Sequence, residues 1–321
     1  MIIQRTTTPI KSQGSIGASW PPTVDRVNSR LKGFIPFILN KNNTEGILRE
    51  VQREGELQNV SRITIRALSN NNSIKELNSI AEVNGFELEA QIPLGPRYSD
   101  TSILYFARNS NQRRVNEDIR HIQREIIENT QLKNPKTREE LVRILTSNGY
   151  TQDSNINTGN GDMQRLVNLY SQCLPVYLMD LNRENIKEMI ENEDNQTLVI
   201  RNNGLIISAA IAEHAIINIE GLILPLVELS ECATDPNYRG QGLLSAILST
   251  LISMQEEGSI IYSEARAGHL PINVALRNNS LDYQGTLNKH CVIGESVQNP
   301  IEGLGPFSNM ENLNVWSGIV G

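Results

Sequence analysis

The first third of the chain mixes short apolar segments of strand character with apolar residues at helical spacing. These patterns predict strands at 33–39, 62–68, 86–93 and 102–108, and helices at 44–54 and 73–83. Ser73 is a candidate cap for the second helix, and Asn84-Gly85 is its stop signal. We therefore predict a small α/β domain over residues 29–112, preceded by an irregular arm over 1–28 that is rich in Thr, Ser, Gly and Pro.

Residues 111–135 combine charges of both signs with apolar residues at helical spacing. The apolar positions are Val115, Ile119, Ile122 and Ile126. The pattern favours a solvated amphipathic helix, ended by Pro135, over a nucleic-acid patch. A second helix is predicted over 137–145, and 151–162 is interpreted as a connection. We assign residues 113–155 to a helical linker between two domains.

The second half of the chain carries the stronger patterns and predicts a mixed α+β domain over residues 156–321. Its predicted helices cover 163–171, 183–193, 242–254 and 272–281. Its predicted strands cover 197–201, 205–211, 226–233, 259–264, 285–293 and 313–316. The first two strands form a hairpin, because Asn203-Gly204 is a favoured two-residue turn.

Composition narrows the class of partner. Asp and Glu number 36 against 29 Lys and Arg, a net charge of −7, which argues against bulk nucleic-acid binding. Aromatic residues make up only 5%, too few for a base-stacking surface. No secretory signal or membrane-spanning run is apparent, so we expect a cytoplasmic protein without a membrane partner. Cys173, Cys232 and Cys291 are too widely spaced for a zinc site or disulfide framework.

One segment carries recognisable chemistry: the strand at 226–233 leads through a glycine-bearing loop into the helix at 242–254. Gly240 and Gly242 would let backbone amides approach a ligand closely, and Arg239 adds a full positive charge beside the helix N-terminus. These features predict an anion site suited to a pyrophosphate.

Other interpretations of this loop must be weighed. A P-loop fails, because no Lys follows either glycine. A dinucleotide fingerprint could begin at Gly240, with Glu264 as the ribose acid, but Ser245 stands where the third glycine belongs. That interpretation and an ordinary strand–turn–helix both stay open on the residues alone.

The segment Asp235-Pro-Asn-Tyr-Arg-Gly-Gln-Gly-Leu243 resembles the acetyl-CoA loop of GCN5-related N-acetyltransferases (GNAT). The family pattern Arg/Gln-x-x-Gly-x-Gly/Ala matches at Arg239 and Gly242 but has Leu244 at its last position. The resemblance implies a GNAT-fold catalytic domain with acetyl-CoA as co-substrate and no metal. The smaller first domain would then be a candidate for a degenerate half of the same fold.

The resemblance also implies roles for the residues around the loop. The backbone amides that would hold the pyrophosphate belong to Arg239, Gly240, Gln241, Gly242, Leu243, Leu244 and Ser245. The main chain of Cys232, Ala233 and Thr234 would pair with the pantetheine arm. Asn273 would contact the same arm, with a helix N-cap as the alternative.

A closer resemblance is to the β-lysine N-acetyltransferase branch of the family. It rests on matching segments in both halves of the chain, with 297–309 as an apparent insertion. The segments are Gly85–Pro93, Leu169–Ala212, Glu228–Thr234, the loop, Tyr283–Asn288 and Met310–Trp316.

Two carboxylates are candidates for deprotonating or binding the amine that attacks the thioester. Glu228 holds the position of the strand glutamate that serves as base in some family members; a solvated strand residue is the alternative. Glu231 lies on the opposite face of the strand unless a bulge intervenes, and could then hold the substrate ammonium or form a structural ion pair.

The sequence offers no good candidate for a general acid or for metal ligands. Family members carry a Tyr after the fourth strand of the fold, but here Tyr283 is the nearest phenol, and packing is its alternative role. Cys232 is interpreted as a small buried residue rather than a nucleophile. The four histidines are scattered without ligand spacing.

Together these features predict an acetyl-CoA-dependent N-acetyltransferase acting on a primary amine of a small molecule, such as a β-amino acid or diamino acid. Self-protection by acetylating an amino-containing antibiotic is one alternative. A non-catalytic module that senses acyl-CoA is another, from a different class. No nucleic-acid partner is expected, and the oligomeric state, monomer or homodimer, is left open.

Overall fold

The computed structural model describes residues 21–26, 28–98, 100–113, 117–158, 161–174, 180–219, 221–291 and 310–321. The predicted insertion at 297–309 and most of the arm at 1–28 lie outside these residues. Within the arm, residues Thr23–Asp25 form a strand, so this part is not irregular as expected. In the described part of the chain, no helix combines the length and apolar character needed to cross a membrane.

Twelve strands and eight α-helices make up the described fold. The strands are β1 Thr23–Asp25, β2 Arg30–Leu39, β3 Arg62–Asn70, β4 Glu87–Pro93, β5 Thr101–Asn109, β6 Thr151–Asp153, β7 Asn195–Asn202, β8 Leu205–Ile219, β9 Leu222–Thr234, β10 Ile260–Arg266, β11 Asp282–Cys291 and β12 Glu311–Ile319. The helices are α1 Thr44–Leu57, α2 Ile74–Val83, α3 Glu117–Gln131, α4 Arg138–Ser147, α5 Asp162–Cys173, α6 Arg183–Glu191, α7 Leu243–Ser253 and α8 Leu270–Asn278. The fold class is mixed α/β, as predicted.

All strands belong to one sheet, in the order β1-β2-β3-β5-β4-β11-β12-β10-β9-β8-β7-β6. The N-terminal strands join the C-terminal ones where Gly285 of β11 faces Ala90 of β4. A Cβ at Gly285 would lie 2.1 Å from the carbonyl oxygen of Glu89, so only glycine permits this approach. The predicted connection at 151–162 is wrong at its start, because Thr151–Asp153 pairs with β7 as an edge strand.

The sheet curves so that the inner faces of its two halves pack on each other. Phe34 and Tyr105 of the N-terminal half share an apolar cluster with Leu226, Tyr262 and Val315 of the C-terminal half. Helices cover the outer faces: α1 and α2 over the N-terminal half, and α4, α7 and α8 over the C-terminal half. Polar residues on this part of the inner face are therefore enclosed between the halves.

Candidate active site

The glycine-bearing loop between β9 and α7 has the backbone geometry that an anion site needs. Gly240 and Gly242 have φ angles of +77° and +78°, a region that residues with a side chain rarely adopt. Helix α7 begins at Leu243, and its first hydrogen bond to the preceding turn runs from the Ala246 amide to the Gly242 carbonyl. Within the described residues, the amides of Leu243 to Ser245 have no backbone acceptor, and all three residues line the cavity described below.

Side chains from neighbouring elements hold the loop in place. Asp235 accepts a hydrogen bond from the amide of Asn237 at 2.8 Å, which starts the short turn before the glycines. The Tyr150 hydroxyl donates to Gln241 Oε1 at 2.8 Å, and its ring packs edge-on against Tyr238, with centroids 6.3 Å apart. The loop is thus positioned before any ligand arrives, which lowers the entropic cost of binding.

Arg239 is exposed at the loop and has only weak partners among the described residues. Its Nε donates to the Thr234 carbonyl at 3.3 Å, and a terminal nitrogen approaches Cys173 Sγ at 3.7 Å. The guanidinium can therefore turn toward a phosphate without breaking an ion pair.

We expect Arg239→Ala to weaken coenzyme A binding by about 1.5–3 kcal/mol, because charge-assisted hydrogen bonds to phosphate would be lost. The unfolding midpoint should not change, since the side chain is exposed. Isothermal calorimetry with coenzyme A measures the affinity, and exposed Arg53→Ala serves as the control. An affinity equal to that of the unmodified protein would mean that the loop amides suffice.

Strands β9 and β10 separate beside this loop. They pair in parallel from Leu226–Ile260 to Glu228–Tyr262, and the ladder stops there, although both strands continue. Beyond it, the only described link between the two is the Ser263 hydroxyl, which donates to the Leu229 carbonyl at 2.8 Å. The opening exposes a strand edge that an extended ligand could join.

A β-bulge lies at the end of β9, as the sequence allowed. Ser230 faces Ile211 and Ala233 faces Ala209, so Glu231 and Cys232 together oppose one residue of β8. Glu231 has a φ of +49°, and it lines the cavity beside Glu228. Burial raises the pKa of Glu231 to about 8.

Glu228 occupies the wall of the cavity where β9 and β10 part. It lies directly opposite Glu213 of β8 and accepts a hydrogen bond from the Tyr262 hydroxyl at 2.8 Å. The pKa of Glu228 is raised to about 8, mainly because the side chain is buried and also because the negative charges of Glu264 and Glu213 lie nearby. A carboxylate with such a pKa can take up a proton near neutral pH, which an ordinary surface glutamate does poorly.

The N-terminal half contributes an ion pair to the same interior. Arg66 of β3 pairs with Glu264 of β10, and its guanidinium lies 4.8 Å from the ring centre of Tyr105 and 5.8 Å from that of Tyr262. Glu264 is therefore bound in an ion pair with Arg66 inside the cavity. In this position it does not suit the role of the ribose-binding acid in a dinucleotide site, which was the alternative interpretation.

A cavity of about 1260 Å³ connects all of these features. Its lining includes every predicted loop residue from Arg239 to Ser245, the strand residues Cys232 and Thr234, and the carboxylates Glu213, Glu228, Glu231 and Glu264. Residues from β2 and β3 line its other end. Ala233 is buried, and its carbonyl accepts a hydrogen bond from the Ser208 hydroxyl at 2.9 Å.

Three predicted site residues, Ala233, Asn273 and Tyr283, are not in the cavity wall, and the proposed roles of the last two need correction. Asn273 is fully buried and donates to the carbonyls of Arg266 and His269, while its Oδ1 accepts from Asn314 and Trp316. Its side chain has no capacity left for a cofactor and does not occupy the N-cap, which is His269.

Tyr283 is the second correction. Its hydroxyl bonds to Thr286 at 2.7 Å, and its ring packs against Trp316 with centroids 5.9 Å apart. Tyr283 lies outside the cavity lining, so the packing role fits and the general-acid role does not.

Cys232 is not activated for nucleophilic attack. The pKa of its thiol is raised to about 12, mainly by burial and also by the negative charge of Glu231. The sulfur is therefore protonated near neutral pH. Among the described residues, no group of three or more His, Cys, Asp or Glu side chains is arranged to hold a metal ion.

Sequence analysis missed Glu213 and Tyr262, because the predicted strands placed neither of them near Glu228. The available signal was a single carboxylate, Glu213, within the otherwise mostly apolar residues 205–217. A charged residue at an otherwise buried strand position indicates either an ion pair or a site.

Comparison with known proteins agrees with this geometry. Residues 156–263 match the family model described as an acetyltransferase (GNAT) domain. This range contains β7, β8, β9, the glycine-bearing loop and α7, with most of β10.

Two curated relatives resemble larger parts of the chain. N-acetyltransferase YodP of Bacillus subtilis is 29% identical over 48% of this chain and 50% of its own length. The β-lysine N(6)-acetyltransferase of Methanosarcina mazei is 27% identical over 57% of this chain and 59% of its own length. The chain thus spans about half to three fifths of the curated relatives that it matches.

A solved structure of Arabidopsis thaliana NAA60 in complex with acetyl-CoA is also similar, at 13% identity and a TM-score of 0.43, over 53% of this chain and 98% of that one. The family match covers the loop, the separating strands and Glu228. Residues 156–263 therefore match a GNAT acetyltransferase domain, and larger parts of the chain are similar to two curated N-acetyltransferases, one of them a β-lysine N(6)-acetyltransferase.

Proposed function

We propose that the chain is an acetyl-CoA-dependent N-acetyltransferase that acts on a primary amine of a small molecule, a β-amino acid or diamino acid. The observation that carries this proposal is the position of Glu228. This carboxylate has a raised pKa and lies where β9 and β10 separate, in the same cavity as the loop at Gly240–Gly242.

The loop fits the pyrophosphate of coenzyme A. Gly240 and Gly242 leave the approach to the backbone open, and the first amides of α7 have no other described acceptor. The open edge of β9, from Leu229 to Thr234, then lies in line to pair with the extended pantetheine arm. This arrangement would place the thioester beside Glu228.

An alkylammonium has a pKa near 10 in water, so it must lose a proton before it can attack a carbonyl carbon. Glu228 accepts that proton, directly or through a water molecule. The nitrogen then forms a bond to the acetyl carbon and releases its second proton to water, the thioester C–S bond breaks, and the sulfur leaves with its electron pair. Backbone amides on the open edge of β9 stabilise the oxyanion that forms on the way.

The departing sulfur has no phenol assigned to it, because Tyr283 is bonded to Thr286 outside the cavity. Coenzyme A therefore leaves as thiolate or takes its proton from water. A free thiol has an ordinary pKa near 8.5, so this departure needs no strong acid.

The cavity wall also suits a cationic substrate. Glu213 and Glu228 face each other on the paired strands β8 and β9, and Glu231 lines the same cavity. The repulsion between Glu213 and Glu228 would be relieved by a bound ammonium group, and this relief would favour an amine over a neutral acceptor.

The proposal is tested by incubating the protein with acetyl-CoA and a panel of diamines, diamino acids, β-amino acids and aminoglycosides. Thiol release and mass spectrometry of the amine then report transfer. Release that depends on one class of amine, with one acetyl group added per thiol, is the expected result. Firm coenzyme A binding without acetylation of any amine would instead favour the acyl-CoA sensor.

We expect Glu231→Gln to raise KM for the amine roughly 10-fold or more, with a smaller effect on kcat, if Glu231 holds the ammonium. The loss arises because a charge-assisted hydrogen bond becomes a neutral one. Steady-state kinetics at several amine concentrations separate the two constants, and exposed Glu256→Gln is the control. A fall in kcat with KM unchanged would assign Glu231 to the chemical step instead.

A further inference from the structure

The end of the cavity formed by the N-terminal half has three hydrogen-bond donors on one face of β2 and β3. Lys32 is the register partner of Thr64 in the parallel pair of strands, so their side chains project from the same face. Arg30 lies two residues before Lys32 on this face. All three residues line the cavity that also contains Glu228.

Three arginines of this region have acidic partners, and the buried Arg113 donates to backbone carbonyls. Arg30 pairs with Asp25, Arg62 with Glu89, and Arg66 with Glu264. The ammonium of Lys32 makes no ion pair or hydrogen bond with any residue that the structure describes. Lys32 is only partly exposed, so water does not fully replace the missing partner.

Two further donors beside Lys32 are also unsatisfied. Thr64 is 3% exposed, and its hydroxyl has no hydrogen-bond partner among the described residues. Arg30 is 4% exposed, and its Nε–H likewise has none, although its terminal nitrogens are engaged. Buried polar groups are nearly always hydrogen-bonded, so donors left unpaired at a cavity wall indicate a missing acceptor.

The electrostatic surroundings favour an anion as that acceptor. Burial and the charge of Arg30 lower the pKa of Lys32, and burial with four nearby arginines lowers that of His290 well below its usual range. The histidine is therefore neutral. Asp25 and Glu264 offset the Lys32 charge only in part, because each carboxylate is already paired with an arginine and the pKa of Lys32 is still lowered. An anion bound here would gain from this field.

We propose that Lys32, Thr64 and Arg30 bind the carboxylate of the substrate, so that the N-terminal half selects amino acids over simple amines. This inference rests on the proposed function. Lys32 supplies the opposite charge, and the Thr64 hydroxyl and Arg30 Nε–H donate to the carboxylate oxygens. The substrate is then a zwitterion held at both ends, its ammonium among the carboxylates of β8 and β9 and its carboxylate between β2 and β3.

The arrangement gives the N-terminal half a direct role in the site. Strands β2 and β3 carry this anion-binding end, whereas the loop and Glu228 lie in the C-terminal half. An amine without a carboxylate would leave Lys32 and Thr64 unpaired on binding. A site that hydrogen-bonds one group of a substrate rejects the analogue that lacks it.

The test uses matched amines that differ only in the carboxyl group: β-lysine, lysine and ornithine, each with the diamine left when hydrogen replaces that group. The protein should acetylate at least one acid with a kcat/KM about 100-fold above that of its diamine. Lys32→Met should raise KM for the acid roughly 10- to 100-fold, with kcat and the KM values for the diamine and acetyl-CoA little changed. Lys32→Arg should keep most of the preference, because it keeps the charge.

Further variants distinguish a substrate carboxylate site from a coenzyme site. Thr64→Val should reduce the same preference more weakly, and exposed Lys41→Met should not change it. A rise in KM for acetyl-CoA rather than for the amine in Lys32→Met would assign the anion to the coenzyme and overturn the proposal. Equal turnover of acids and diamines by the unmodified protein would also overturn it, while leaving acetyl transfer established.

If the protein acetylates no amine of the panel, the proposed function fails, and calorimetry with the same amino acids in the presence of coenzyme A decides this inference separately. Binding that is lost in Lys32→Met would support the carboxylate site. No binding, or equal binding by both proteins, would contradict it.

Discussion

Glu228→Gln is expected to lower kcat by roughly 10²–10⁴, with the affinity for acetyl-CoA nearly unchanged. The amide keeps the shape of the side chain and can still accept from the Tyr262 hydroxyl, which lies 2.8 Å from the carboxylate. It cannot accept a proton from the amine. Stopped assays of thiol release at saturating amine and acetyl-CoA measure kcat.

The pH profile distinguishes a base from a merely structural glutamate. Because the pKa of Glu228 is raised to about 8, the residue is mainly protonated and inactive as a base below that pH. In the unmodified protein kcat/KM should therefore rise with pH through that value. In Glu228→Gln this inflection should disappear, and the rate should rise only as the amine itself loses its proton, toward about pH 10.

A variant that retained full turnover from about pH 6 to 9 would show that Glu228 is not the base. Glu213, which faces Glu228 across the strand pair, or Glu231 at the bulge would then be the next candidates. Coenzyme A binding and the thermal midpoint, measured on the same preparation, show whether the substitution has disturbed the fold instead.

The second large effect is expected from Gly242→Val, which should reduce coenzyme A binding by at least about 100-fold. A Cβ at this position would lie 2.8 Å from the Ile144 side chain, and the φ of +78° is unfavourable for a β-branched residue. The loop must move or α7 must begin differently, and either change displaces the amides that would hold the pyrophosphate. Calorimetry and the thermal shift on adding coenzyme A both report the loss.

A matched control separates loss of binding from loss of stability. Gly221 has a similar φ of +84° in the turn before β9, at the far end of that strand from the loop, and a Cβ there would meet nothing within 4 Å. Gly221→Val should thus carry a comparable backbone strain, of about 1–2 kcal/mol, with coenzyme A binding intact. Equal loss of binding in both variants would mean that strain, and not the loop geometry, is responsible.

The sequence predicted most helices and strands to within a few residues, because their apolar patterns are local. The strand predicted at 62–68 spans Arg62–Asn70 in the structure, and the helix predicted at 242–254 spans Leu243–Ser253. The loop and its two glycines were also predicted, since close approach and positive φ depend on residue type at a fixed position.

Strand β8 shows where local patterns fail. Its predicted end at 211 reflects the polar pair Glu213-His214, yet the strand continues to Ile219. Glu213 faces the cavity, and the His214 ring bonds to Gln255 at 2.6 Å and to the Asp194 carbonyl at 2.9 Å. Tertiary partners, which no window of sequence contains, satisfy both side chains.

The far end of the cavity was not predicted for the same reason. Arg66 and Glu264 are separated by 198 positions, and only the curvature of the sheet brings them together. Thr64 lay inside the predicted strand at 62–68 and Lys32 just before the one at 33–39, and neither residue carried a signal of chemistry. That these two side chains lack partners among the described residues, in a cavity shared with the C-terminal half, can be seen only in the folded structure.

The central claim is that this cavity transfers an acetyl group from acetyl-CoA to the amine of an amino acid. Mass spectrometry of β-lysine, lysine and ornithine after incubation with isotopically labelled acetyl-CoA tests it most directly, with Glu228→Gln in parallel. We predict one labelled acetyl group on one nitrogen of the preferred acid, one thiol released for each transfer, and a strongly reduced yield in the variant. Thiol release without a labelled amine, or equal labelling by the variant and the unmodified protein, would contradict the account.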